Sequence, residues 1–274
     1  MVALQLEQGL FKVNILKWDN MNQKRFSNSA TTYDLHAKPQ QDLVEALVKL
    51  LPQENMNRIL EVGSGTGLFT EKIHQKYPHA KIDAIDIAES MIRHTRKRFI
   101  GIKNINWIIA DAEIFQASTL YDLIASSATL HWSSNLTNVL KNIHFQLKPG
   151  GFFVLGIMLK GTLWELRELR RMIAPEKGAG LILPPNVVVE KNIQDAGFSI
   201  QQQKIDQKKV IYDDTRSFLR AIHEQGVTSL PKHSNPLNRS ELHTLTDKYQ
   251  EQYSNINGVY ATYETGQYLL KKPL

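Results

Sequence analysis

Glu61-Val62-Gly63-Ser64-Gly65-Thr66-Gly67 places a carboxylate ahead of three glycines at alternate positions. The apolar run Ile59 to Val62 leads in, and a helical pattern begins at Leu68. The stretch reads as a strand, a tight turn and a helix start. Such a turn lets backbone N–H groups approach an anionic or nucleotide-like ligand, and the helix dipole favours negative charge there. Further polar groups fall at the ends of predicted strands. Asp86 lies about 20 residues beyond the turn, where a carboxylate can accept both ribose hydroxyl protons. Asp111-Ala112-Glu113 follows the third strand and Ser126-Ser127 the fourth. Each acid alone reads as an ordinary surface or capping residue; in this order and spacing they favour a bound adenosine. A dinucleotide fingerprint would put its third glycine where Leu68 stands, whereas Gly67 comes one residue earlier. Asp86 would suit NAD; the glycine order does not.

The elements that must carry these groups alternate. Strands are expected at 58–62, 81–86, 105–110, 121–126 and 152–157, with helices at about 67–77, from Ser90 to Phe99, and from Leu136 to Leu147. That alternation implies a parallel sheet covered on both faces, with ligands at the carboxyl ends of its strands. Upstream, Phe26, Ala30, Tyr33 and Ala37 follow helical spacing, and Pro39 suits the first turn of a helix striped by Leu43, Leu47, Leu50 and Leu51. After residue 158 the period changes. A helix over Leu163–Ile173, a break at Leu183-Pro184-Pro185 and a short helix over 187–196 are expected. A polar strand from 198 to 209 follows, then a helix capped by Asp213 or Asp214 and another over 238–253. Gly258–Leu270 reads as a late antiparallel strand at the sheet edge. The expected division is an N-terminal extension over 1–23, a core over 24–158, and helical cap insertions with completing strands over 159–274.

Composition narrows the classes. The chain has 274 residues, 42% of them hydrophobic, enough to bury a substantial core. It has no cysteine, which excludes disulfides and thiolate chemistry. No run of about 18 apolar residues occurs, so no membrane span is expected, and no secretory leader is evident near the N-terminus. A cytoplasmic protein is the expectation. The net charge of +6 is compatible with an acidic partner, while no Lys/Arg block resembles a nucleic-acid arm. His223, His233 and His243 show no metal-ligand spacing with an acid, so no metal is expected.

The E-x-G-x-G-x-G pattern resembles motif I of class I S-adenosylmethionine-dependent methyltransferases. The resemblance implies a Rossmann-like α/β fold with a seven-stranded, mostly parallel sheet and a helical substrate cap, and S-adenosylmethionine as cofactor. It implies that Tyr33, Glu61, Gly63, Ser64, Gly65, Asp86, Ile87, Met91, Asp111, Ala112, Glu113 and Ser126 bind that cofactor. Asp111 would accept from the adenine amino group and Ser126 would stand beside the methyl centre.

A longer string of matches follows. It includes Tyr33-Asp34, Gln40, Asp86-Ile87-Ala88-Glu89-Ser90-Met91 and Leu130-His131-Trp132. It continues through Gly161-Thr162-Leu163-Trp164-Glu165-Leu166, Leu183-Pro184-Pro185 and Thr262-Tyr263. Over residues 25 to about 270 the chain is similar to the malonyl-acyl-carrier-protein O-methyltransferases of biotin synthesis. Gly226-Val227-Thr228 departs from the family's usual pattern, and relatives carry Gln or Asn at the His131 position. The resemblance implies methyl transfer to the free carboxylate of a malonyl thioester on acyl carrier protein or coenzyme A. It offers Tyr33 and His131 as catalytic candidates, and His131, Trp132 and Tyr263 as the substrate wall. Arg167, Arg170 and Arg171, on the inserted helix, would dock the acidic carrier. The alternatives are a methyltransferase for another small acid, trans-aconitate-like, and a binding protein that keeps the fold without turnover.

Overall fold

Ile59 and Leu60, Leu123 and Ile124, and Phe153 and Val154 are all fully buried, and each pair splits between two apolar clusters on opposite faces of one sheet. Period-two alternation with both faces covered is what a parallel sheet sandwiched by helices demands. The structure is a computed structural model, and it describes residues 37–178, 180–225 and 235–274. The expected N-terminal extension, the amphipathic stretch up to His36 with Tyr33, the Gly226-Val227-Thr228 departure and His233 lie outside the described residues.

Helix α1 (Lys38–Val48) carries Pro39 in its first turn and buries Leu43, Val44 and Leu47. Next come β1 (Arg58–Val62), α2 (Leu68–Lys76), β2 (Lys81–Asp86), α3 (Glu89–Arg98), β3 (Ile105–Ile109) and β4 (Tyr121–Ser127). A 3₁₀ turn (Leu130–Trp132), α4 (Leu136–Gln146) and β5 (Leu147–Met158) complete the alternating part. The rest is α5 (Trp164–Ile173), α6 (Asn186–Asp195), β6 (Ser199–Tyr212), α7 (Thr215–Glu224), α8 (Arg239–Gln252), the two-residue β7 (Ser254–Asn255) and β8 (Gly258–Lys271). The sheet order is β3-β2-β1-β4-β5-β8-β6, with β7 paired to β8 outside that path. β1 to β5 run parallel, and β8 is antiparallel to both of its neighbours. Neighbouring β1 and β4 feed connections to opposite sides, so the crevice for a ligand opens at their carboxyl ends.

Several local expectations shift. β8 is interior, between β5 and β6, and not at the edge. The edge is β6, a largely exposed strand that carries Lys204 and Lys208 on one face and Lys209 on the other; a polar, lysine-rich strand tolerates that position. β5 begins at Leu147 because Leu147 pairs with Tyr121 before the register shifts at the Pro149-Gly150-Gly151 irregularity. The cap of α7 is Asp214, which accepts from Ser217 N at 2.7 Å. Asn238 and Glu241 form a reciprocal capping box on α8.

β8 outruns β5: Met158 pairs with Thr265, so residues 258–264 lack a β5 partner. A third apolar cluster covers that end, formed by Leu163, Leu169, Phe218, Ile222, Tyr249, Val259, Ala261 and Tyr263. The backbone groups are satisfied there by side chains and by the chain around residue 162. Leu159 N donates to Glu264 O and Leu163 N to Thr262 O, while Glu264 N donates to Thr162 Oγ1. Buried main-chain groups require this complete pairing.

Candidate active site

Gly63, Gly65 and Gly67 have φ values of +74°, +51° and +85°. Only glycine adopts that region freely, but the three differ in surroundings. A Cβ on Gly63 would lie 2.2 Å from Thr129, and one on Gly67 2.6 Å from Thr95. A Cβ on Gly65 would meet nothing within 4 Å. Gly63 and Gly67 therefore let the protein close on itself, whereas Gly65 borders open space. Gly63 N and Ser64 N both donate to Ile85 O at 2.9 Å, which ties the turn to β2.

Asp86, the last residue of β2, braces the same turn. One carboxylate oxygen accepts from Gly65 N and the other from Ala88 N, both at 2.8 Å. Burial pushes its carboxyl up, and these two backbone donors oppose the shift. Glu61 is fully buried at the end of β1 and accepts from Thr70 Oγ1 at 2.5 Å. Burial, reinforced by the Asp86 charge against the pull of Thr70, raises its carboxyl to about 8.

These groups surround a cavity of about 180 Å³ at the carboxyl ends of the strands. Of the residues predicted to bind the cofactor, Glu61, Gly63, Ser64, Gly65, Asp86, Ile87, Met91, Asp111, Ala112 and Glu113 are brought together along its wall. Asp111 holds the local turn by accepting from Glu113 N at 2.8 Å. The Glu113 carboxylate accepts from Ser134 N at 2.6 Å, so much of its capacity is spent on the neighbouring loop. Ser126 is a correction: it is buried within β4 and its Oγ donates to Val62 O at 2.9 Å, across to β1. Strand alternation turns the next residue, Ser127, to the cavity. Ser64 and Ser127 both line the cavity with buried hydroxyls that have no partner. An open cradle at Gly65, acids at two strand ends and two orphaned hydroxyls fit a nucleoside with hydroxyl and amino groups to satisfy.

A smaller cavity of about 20 Å³ adjoins this crevice, and Gln40, Ala128 and Trp132 line both. His131, Trp132 and Tyr263, the predicted substrate wall, meet on it, joined by Gln225 and Thr162. The His131 ring packs 4.9 Å from that of Trp132, and burial pushes its imidazole down to about 3, so it is neutral. The Tyr263 hydroxyl pairs with that of Tyr212 at 2.9 Å. Gln40, Gln225 and Thr129 carried no chemical signature in the sequence; an amide or hydroxyl acts here only through its position.

The arginines separate. Arg170 is buried, its Nε donating to Gly178 O at 3.0 Å and its guanidinium also reaching Asn235 O. Arg167 is half-buried and donates to the carbonyls of Thr162 and Lys160. Both brace the chain around α5, which removes them from a carrier-docking surface; Arg171 alone of the three is exposed. Among the described residues no group of three His, Cys, Asp or Glu side chains could hold a metal ion, and no helix is long and apolar enough to cross a membrane.

Residues 59–151 match the family model described as a methyltransferase domain. The fold is similar to that of the N-methyltransferase NodS of Bradyrhizobium japonicum, solved with S-adenosyl-L-homocysteine. The TM-score is 0.57 at 15% identity, over 93% of this chain and 100% of that one. Sheet order, glycine turn and crevice define a class I S-adenosylmethionine-dependent methyltransferase, an enzyme whose cofactor is S-adenosylmethionine. The chain is 32% identical to malonyl-[acyl-carrier protein] O-methyltransferase 2 of Ilyobacter polytropus, over 87% of this chain and 92% of that protein. It is 30% identical to the malonyl-[acyl-carrier protein] O-methyltransferase of a Paenibacillus species, over 88% of this chain and 95% of that protein. It belongs to the malonyl-[acyl-carrier protein] O-methyltransferase family.

Proposed function

We propose that this enzyme methylates the free carboxylate of a malonyl thioester borne by acyl carrier protein, an early step of biotin synthesis. The observation that carries the reading is the small cavity beside the cofactor crevice. No side chain lining it is charged once His131 is neutral. An acceptor whose negative charge is balanced by the sulfonium of a cofactor in the adjoining crevice, and not by the protein, fits such a wall. A carboxylate is already ionised at neutral pH, so no general base is required. Bound in the crevice, the cofactor supplies a methyl group on a positively charged sulfur. Transfer to the acceptor carboxylate would form an oxygen–carbon bond as the sulfur–carbon bond breaks, with the electron pair going to sulfur and no proton moved, so no side chain here need act as acid or base.

The chain's contribution is placement and dryness. Trp132 and Tyr263 exclude water from the acceptor side, and the shared wall of Gln40, Ala128 and Trp132 brings the two partners together. Asp86 and Gly65 hold the cofactor side. The segment 159–274 serves as the acceptor cap.

Turnover with malonyl-acyl carrier protein, malonyl-coenzyme A and a panel of small carboxylic acids, trans-aconitate included, tests the reading. The carrier-linked malonyl thioester should outrun the free acids by orders of magnitude. A free acid as the best acceptor, or failure to restore growth to a strain blocked in early biotin synthesis, overturns it.

A further inference from the structure

Gln40 is buried on α1, with its Nε2 donating to Gln225 Oε1 at 3.3 Å. Its Oε1 is buried and has no partner, and the same holds for Nδ1 of His131. Both residues line the smaller cavity, and Gln40 also lines the cofactor crevice. Buried polar atoms without partners are costly and uncommon, and a pair of them on one cavity requires an explanation.

We propose that Gln40 and His131 form a charge-neutral reader of the acceptor's carboxylate, with the Gln40–Gln225 amide pair reversing its direction when the acceptor binds. This deepens the reading above and rests on it.

A Gln amide turned half a revolution about its last bond exchanges oxygen for nitrogen at almost the same positions. Gln40 then presents Nε2–H to the cavity and its oxygen to Gln225, whose own amide can donate in return. The pair stays hydrogen-bonded in either direction, but the group it shows the acceptor changes from oxygen to N–H. His131 supplies the second donor when its proton sits on Nδ1. Burial keeps that imidazole neutral, so it donates without adding charge. Two neutral donors can orient one carboxylate oxygen and leave the other for the methyl group. A lysine or arginine would pair with the carboxylate, stabilise the ground state and blunt its nucleophilicity. The methyl ester, no longer charged, accepts more weakly from the same donors, which favours release of product over acceptor.

The test compares His131→Phe, His131→Gln and Gln40→Leu on malonyl-acyl carrier protein, measuring acceptor KM, kcat, S-adenosylmethionine affinity and thermal midpoint. His131→Phe and Gln40→Leu should raise the acceptor KM or lower kcat/KM by about tenfold or more. His131→Gln, which keeps a donor, should stay within about threefold of the parent. Cofactor affinity should change less than about twofold in both His131 variants, because His131 does not line the crevice. The thermal midpoint of His131→Phe should hold or rise, since that loss removes an unpaired buried atom, whereas Gln40→Leu also strips Gln225 Oε1 of the Gln40 donor and should lower it. If Gln40→Leu fails to fold, the His131 pair decides. A His131→Phe enzyme with parental kcat/KM, or a His131→Gln enzyme as damaged as His131→Phe, overturns the reader while leaving carboxylate methylation standing. A parent enzyme that methylates an amine or hydroxyl and no carboxylate overturns both.

Discussion

The carboxylate of Glu165, fully buried in the first turn of α5, accepts from both the backbone N–H and the hydroxyl of Thr262 on β8. Their separation in sequence is 97 residues. Thr262 lies on the part of β8 that outruns β5, so its N–H has no strand partner and Glu165 stands in for one. The neighbouring Tyr263 lines the smaller cavity proposed to take the acceptor, which makes this pairing the anchor of that wall. Glu165→Ala should therefore destabilise the protein by about 2–3 kcal/mol, the cost of a buried donor left unpaired. Thr262→Val keeps the N–H bond and should cost less, and the double variant should lose less than the sum. Denaturant unfolding checks this; strictly additive losses would show that the two residues are not coupled.

The three glycines of the turn predict a split outcome. Gly63→Ala and Gly67→Ala should damage folding, because the new methyl would collide with Thr129 or with Thr95 and Phe99. Gly65→Ala meets open space, so its structural cost is the left-handed backbone alone, about 1 kcal/mol. It should fold and yet bind S-adenosylmethionine at least about tenfold more weakly, because the methyl intrudes where a ligand must approach the backbone. Thermal melts and calorimetric titration separate the cases. Parental cofactor affinity in a folded Gly65→Ala protein would move the cofactor away from this turn.

Most of the alternating fold was legible because its signals are local. Leu43 and Leu47, and Ile59 to Val62, each report their element within a few residues. The position of β8 was not legible. A buried strand such as Gly258–Lys271 looks the same at an edge or in the interior, and the partners that decide, Phe152 to Met158 and Ser199 to Tyr212, lie far away in sequence. The site divides in the same way. Glu61 and Asp86 announce themselves by strand-end position, and Ser126 was misplaced by the one-residue step that reverses a strand's face. Arg170 read as surface because helical spacing does not reveal that its guanidinium folds back onto Gly178. Gln40 acquires meaning only through Gln225, 185 residues away.

Glu61 predicts a pH dependence. Its folded value of about 8 stands above the ordinary 4.5. The folded protein thus keeps a proton that the unfolded chain releases. The stabilising contribution is complete below the unfolded value and is lost as pH rises through the folded one. Glu61→Gln removes the titration and retains a carbonyl to accept from Thr70. Its stability relative to the parent should therefore grow between pH 5 and pH 8, on the order of a few kcal/mol. A difference that is flat over that range would show that Glu61 is already ionised. A cationic cofactor beside Glu61 favours the carboxylate, so binding at pH 7 should release a fraction of a proton. Titration calorimetry in two buffers of different ionisation enthalpy detects that release.

The arginines of α5 separate docking from folding. Arg171 is exposed, so Arg171→Glu should leave the thermal midpoint within about 1 °C, as surface substitutions do. If the acidic carrier docks on this face, reversal of that charge should raise KM for malonyl-acyl carrier protein several-fold, with an effect that shrinks at high salt. A small malonyl thioester should be spared. Arg170→Glu should behave differently. It places a carboxylate among the carbonyls of Gly178 and Asn235, so stability should fall by about 3 kcal/mol or more, with equal loss on both acceptors. Equal kinetics of Arg171→Glu and the parent on the carrier-linked substrate would place the carrier on another face.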